Sequence, residues 1–164
     1  MAREDGPITS LDELMLALQT ACQRHDVVLA YLYGSQARGT PGPLSDVDVA
    51  VLFRAEMSNE ERFRQQLALM IEFMGIFQRE DVFVADLVDA TPLLRFEVYR
   101  EGRLLYCLDD AIRIKFMTDA LRDYEDTRPL RRIQHGYLLQ SIAEGTFGRK
   151  RAALAEKKEP YGQE

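Results

Sequence analysis

The chain has 164 residues, 46% hydrophobic and 29% charged, enough for one domain with a real core and too few for a multidomain machine. No run approaches the roughly 18 apolar residues of a membrane span, and the first residues, Met1-Ala-Arg-Glu-Asp-Gly-Pro7, lack a signal-type apolar segment, so a soluble cytoplasmic protein is expected. The net charge of -6 argues against a general grip on nucleic-acid phosphates, although residues 1–127 carry 13 basic against 23 acidic side chains and residues 128–164 carry 8 against 4.

In chain order, Ser10-Leu-Asp-Glu13 reads as a capping box opening a helix to about residue 24, with Leu11, Leu14, Met15, Leu18, Ala21 and Cys22 at helical spacing. Val27 to Tyr33 is a short apolar run rich in β-branched and aromatic residues, a buried strand stopped by Gly34. Residues 34–45 hold a helical turn and a loop, and Asp46 to Phe53 forms a second strand. Ser58-Asn-Glu-Glu61 caps a helix to about Phe77, with Phe63, Leu67, Met70, Ile71 and Met74 expected to face the core.

Asp81 to Val88 reads as a third strand. Thr91-Pro92 starts a helix that Gly102 ends, and Arg103 to Leu108 follows as an edge strand. Two helices meeting near Arg128-Pro129 occupy the rest to about Gly145, and residues 155–164 read as frayed. The fold class is α/β (α+β): a small mixed sheet flanked by helices, with C-terminal helices. The domain reading is a core over 1–108, a helical extension over 109–148 and a basic tail over 149–164.

Chemistry concentrates between the first two strands, where Gly34-Ser35 is followed, after ten residues, by Asp46-Val47-Asp48. Carboxylates two apart on a strand share a face, repel each other and are costly to cover unless a cation joins them. A hard divalent ion such as Mg²⁺, completed by substrate phosphates and water, suits that donor set. Gly34 lets backbone approach closely, Ser35 offers a hydroxyl and an N–H, and Arg38 adds a permanent positive charge.

Tyr33-Gly-Ser-Gln-Ala-Arg-Gly39 followed by Ser45-Asp-Val-Asp-Val-Ala-Val51 resembles the nucleotidyltransferase superfamily related to DNA polymerase β. More narrowly, it looks like the minimal nucleotidyltransferase (MNT) antitoxins that pair with HEPN toxins. The resemblance implies a nucleotidyltransferase fold and an Mg²⁺-dependent enzyme, with two ions, that moves AMP from ATP to a protein hydroxyl, a tyrosine of a HEPN ribonuclease toxin. Asp46 and Asp48 would be catalytic metal ligands, and Gly34, Ser35, Arg38 and Ser45 would bind the nucleotide.

It also implies a third acid on a neighbouring strand. Asp86, a costly charge within Val82-Phe-Val-Ala-Asp-Leu-Val88, is the candidate catalytic and metal-binding residue, with Asp89, expected to face the other way, as the alternative. Two other functions remain open at this stage: an antitoxin acting by binding alone, and an aminoglycoside-type small-molecule transferase. The partners implied are ATP and a HEPN-type toxin, with no membrane or direct nucleic-acid contact, in a hetero-oligomer or homo-oligomer.

Other features read as structural. Arg128, His135 and Tyr137 superficially match a HEPN ribonuclease motif, but only about 55 residues follow the last strand, too few for that helical bundle. The basic set Arg128, Arg131, Arg132, Arg149, Lys150, Arg151, Lys157 and Lys158 reads as a solvated face, and His25 as a residue favouring a helix C-terminus. Cys22 and Cys107, without metal-site spacing, read as core fillers, and Tyr124, Tyr137 and Tyr161 leave self-modification open.

Overall fold

Four short apolar runs make one sheet in the computed structural model, which describes residues 11–39 and 45–146. The elements are α1 (Leu11–Arg24), β1 (Val27–Tyr33), α2 (Gly34–Arg38), β2 (Val47–Phe53), α3 (Asn59–Phe77), β3 (Val82–Asp86), α4 (Pro92–Glu101), β4 (Arg103–Cys107), α5 (Asp110–Asp126) and α6 (Arg128–Ala143). The sheet order is β3-β2-β1-β4, which confirms β4 as an edge strand. β1 pairs antiparallel with β2 and β4, while β2 and β3, joined through α3, run parallel. The mixed sheet and its flanking helices are those expected from the sequence.

Alternation along the strands divides the core. Ala30, Val49, Val51 and Val84 turn to the face covered by α1 and α3, where Leu18, Cys22, Leu69 and Phe73 complete one cluster. Leu29, Tyr31 and Ala50 turn to the other face, beneath Val98 of α4 and Phe116 and Ala120 of α5. The chain separates into two compact units, Met1–Tyr124 and Glu125–Glu164. The first therefore takes in nearly all of α5, which a core ending at residue 108 leaves out; Phe116 is the reason, fully buried with its ring 6.0 Å from that of Tyr31. In the second unit, α6 has no buried residue.

The caps follow sequence logic. The Ser58 hydroxyl accepts from the Glu61 N–H while the Glu61 carboxylate accepts from the Ser58 N–H, so the predicted capping box is formed. Thr91 Oγ1 accepts from the Leu94 N–H with Pro92 behind it, and Gly102 closes α4. Ser10 and the C-terminal tail, including Arg149, Lys150, Arg151, Lys157 and Lys158, lie outside the described residues.

The core face of α3 departs from expectation. Phe63, Leu67 and Ile71 are exposed, and Arg62, Leu69 and Phe73 are buried instead. The helix carries two apolar stripes, and Arg62 joins the buried one because it finds carboxylates on β3 and just after it. His25 is buried, bonded at Nδ1 to Gln65 (2.6 Å) and at Nε2 to Glu72 (2.8 Å), so it ties the end of α1 to α3.

Candidate functional site

The site grows from the junction of β1 and α2. β1 ends at Tyr33, and the chain turns through Gly34 at φ +72°, a conformation that costs a glycine little and an L side chain much. Tyr33 pairs with Asp48 in the antiparallel register, so the Asp48 carboxylate lies directly beside this turn. A Cβ on Gly34 would stand 2.3 Å from Asp48 Oδ2. Glycine is therefore required twice at this position, for the backbone angle and for the carboxylate against it.

Asp46 is exposed and immediately precedes β2, and Asp48 is half-buried within it. Among the described residues no cation comes within ion-pair distance of either. Burial first, and then the negative charge of Asp46, push the Asp48 carboxyl above the usual aspartate range, with Arg38 opposing the shift. Tyr33 is raised for the same two reasons, burial and the charge of Asp48. A divalent ion would relieve the repulsion between the two acids, so the donor chemistry fits Mg²⁺ held by Asp46 and Asp48.

The surrounding residues fix this pair. Arg79 donates from Nη2 to the Ser45 carbonyl at 2.8 Å and pairs with Asp81, which anchors the chain as it enters β2. Gln36 reaches the same carbonyl from α2 at 3.5 Å. Ser35 is the second residue of α2, whose first turn has no side-chain cap. Arg38 closes α2 and lies against Glu101 of α4 at 3.3 Å.

Gly34, Ser35, Arg38, Ser45, Asp46 and Asp48 thus gather around one end of β2. Asp86 does not join them. In the parallel register Asp48 pairs with Phe83, and Asp86 pairs with Val51, three residues further on and on the opposite face. Three residues along a strand are about 10 Å. Asp86 instead accepts from Arg62 Nε at 2.7 Å through Oδ2 and from the Val88 N–H at 2.9 Å through Oδ1, and both ion-pair side chains are only 8% exposed.

Asp89 reaches Arg62 Nη2 at 2.9 Å, so the two acids converge on one guanidinium and do not diverge as expected. The cost of a charge in an apolar strand is met by arginine, and the structure does not bring Asp86 together with Asp46 and Asp48 as the sequence led us to expect. No group of three or more His, Cys, Asp or Glu side chains suited to a metal occurs among the described residues.

Sequence reasoning missed three residues: Arg62, Arg79 and Glu101. Arg62 carried a faint signal, a cation at the start of a helix that must cover an acid-bearing strand. Arg79 and Glu101 carried none, because the contacts that bring them to the site, the Ser45 carbonyl for Arg79 and Arg38 for Glu101, lie far away in sequence.

The family model for "Polymerase beta, Nucleotidyltransferase" matches residues 17–111, which span β1 through β4. No curated protein matches. Among solved structures, a chain of a toxin-antitoxin crystallised with AMP-PNP superposes with a TM-score of 0.64 at 21% identity, over 76% of this chain and 98% of the other. A chain from the tri-AMPylated Shewanella oneidensis HEPN toxin in complex with MNT antitoxin gives a TM-score of 0.59 at 19% identity, over 78% and 98%. A chain of the toxin-antitoxin MntA-HepT gives the same four values. At this identity the likeness establishes a shared fold, and the family match covers more than half of the sequence: the chain belongs to the polymerase β nucleotidyltransferase family.

Proposed function

We propose that this nucleotidyltransferase moves AMP from ATP onto a hydroxyl of a HEPN-type toxin, a tyrosine, and so acts as its antitoxin. The observation that carries the reading is the Asp48 carboxylate packed against Gly34 with Asp46 beside it, neither in an ion pair among the described residues. It stands in a fold shared with chains from complexes that hold AMP-PNP or an AMPylated toxin.

Asp46 and Asp48 would hold Mg²⁺, which when bound supplies charge neutralisation at the phosphates. The acceptor oxygen attacks the α-phosphorus and gives up its proton, the bond to the β-phosphate oxygen breaks, and pyrophosphate leaves. The absence of a side chain at Gly34 keeps Asp48 in place. Ser35 contributes a hydroxyl and an N–H to the phosphates, and Arg38 contributes a positive charge. Asp86, engaged by Arg62, has no step in this chemistry.

The placement of Asp86 favours a second reading, an antitoxin that neutralises its partner by contact, because Asp86 lies on the face opposite Asp48 and is engaged by Arg62. Intact-mass spectrometry after mixing the chain, a HEPN-family partner, Mg²⁺ and ATP separates the two. Whole AMP increments of mass on the partner, lost with Asp46→Asn plus Asp48→Asn, support transfer. A stable complex without any increment supports contact alone.

A further inference from the structure

We infer that Glu101 is a positioning residue for Arg38, holding its guanidinium at the mouth of the site so that its remaining N–H groups face the nucleotide phosphates. This rests on the reading of Arg38 as a phosphate contact. Arg38 is a long side chain at the end of a five-residue helix, 54% exposed, and would otherwise sample many rotamers. Ordering such a chain only when nucleotide arrives costs about 0.5–1.5 kcal/mol of binding, about a two- to twelvefold loss of affinity. A group that orders it beforehand removes that loss.

Glu101 is built for the task. Its Oε1 accepts from Arg100 through Nε at 3.1 Å and through Nη2, and Arg100 in turn lies over the Phe96 ring at 5.6 Å. Phe96 stacks on Tyr124 with ring centroids 3.9 Å apart. That support leaves Oε2 for Arg38 Nη1 at 3.3 Å. Directly after Glu101, Gly102 seats the end of α4 where a Cβ would stand 2.3 Å from the Val98 carbonyl oxygen and 3.3 Å from the Tyr31 ring. The end of the helix that carries Glu101 is thereby pressed onto β1.

Two arginines hold the Glu101 carboxyl below its ordinary range, Arg100 more than Arg38, so it stays charged wherever the enzyme works. Arg38 closes the short helix α2, which opens at Gly34 against the Asp48 carboxylate. Exposed ion pairs contribute little to stability, so the contact is expected to act on nucleotide binding and hardly on folding.

Calorimetric titration of the full chain with Mg²⁺ and AMP-PNP tests this, using the wild type, Glu101→Gln, Arg38→Ala and the double variant. The expected result is a three- to tenfold weaker affinity for Glu101→Gln with an unchanged melting temperature, a larger loss for Arg38→Ala, and a double variant no worse than Arg38→Ala. In AMP transfer, Glu101→Gln raises KM for ATP and leaves kcat within twofold, and Glu101→Asp recovers part of the KM.

Wild-type affinity in Glu101→Gln, or losses that multiply in the double variant, would overturn the positioning role while leaving the nucleotide reading intact. A wild type that does not bind Mg²⁺ and AMP-PNP would overturn both.

Discussion

Asp48 and Asp86 sit on neighbouring strands of one sheet and are treated in opposite ways. The Asp86 side chain is 8% exposed with both oxygens engaged, one by Arg62 and one by a backbone N–H. Asp48 is half-buried, pressed against Gly34, beside a second acid, and has no cation at contact distance among the described residues. A folded chain tolerates a buried charge by pairing it or by shifting its pKa. Where pairing is complete the charge serves the fold, and where it is withheld the site is arranged for something that arrives later.

The largest expected effect strikes the unpaired end. Asp46→Asn with Asp48→Asn should lower AMP transfer on the order of 10³-fold, since several kcal/mol of charge stabilisation at the phosphates go with the two carboxylates. Asp86→Asn should keep transfer within about threefold when assayed well below its melting temperature. Equal losses in the two variants, read by intact mass, would erase the distinction between the acids.

Gly34→Ala comes next. Its Cβ meets Asp48 Oδ2 at 2.3 Å, and the φ of +72° strains any L residue, so Asp48 must move. Nucleotide affinity should fall at least tenfold, with a melting temperature lowered by a few degrees. An alanine variant that binds Mg²⁺ and AMP-PNP like the wild type would show that Asp48 tolerates displacement.

Arg62→Ala addresses the paired end. It leaves Asp86 buried without its partner, and breaking such a pair costs roughly 3–5 kcal/mol. The lower end applies here because Asp89, the other partner of Arg62, is 71% exposed. Chemical denaturation should show that Asp86→Asn added to Arg62→Ala recovers part of the loss. Simple addition of the two losses would mean that the ion pair is not what holds α3 to β3.

These contrasts mark how far the sequence could be read. β1, α2 and β2 were legible because Gly34-Ser35 and Asp46-Val-Asp48 fall at the ends of two apolar runs, and α4 because Thr91, Pro92 and Gly102 announce both its ends. The side on which Asp86 points was not legible. A carboxylate in an apolar strand is expensive whether a metal or an arginine answers it, and the register that separates the cases depends on pairing β2 with β3 across a 19-residue helix. The core face of α3 was hidden for a related reason. Phe63, Leu67 and Ile71 make as good a helical stripe as the one that is buried, and Arg62 decides between them only once Asp86 is in place.

The smallest effect is the most direct sign of a withheld partner. Because its folded-state pKa is raised, Asp48 favours the folded chain while protonated, and that contribution is lost as pH rises through the raised value. Above it, the ionised Asp48 works against the fold, so Asp48→Asn should melt higher than the wild type at neutral pH, by about 1–2 °C after discounting for solvent screening. The advantage should vanish below the ordinary aspartate range, where the wild-type carboxyl is protonated in both states. Mg²⁺ with AMP-PNP should raise the wild-type melting temperature and leave that of Asp48→Asn unchanged, reversing their order. For Asp86 the opposite holds, since Asp86→Asn gives up hydrogen bonds to a buried guanidinium and should melt lower at neutral pH with or without nucleotide. Two aspartates on adjacent strands that respond to the same substitution with opposite signs would separate an acid kept for a ligand from one kept for the fold.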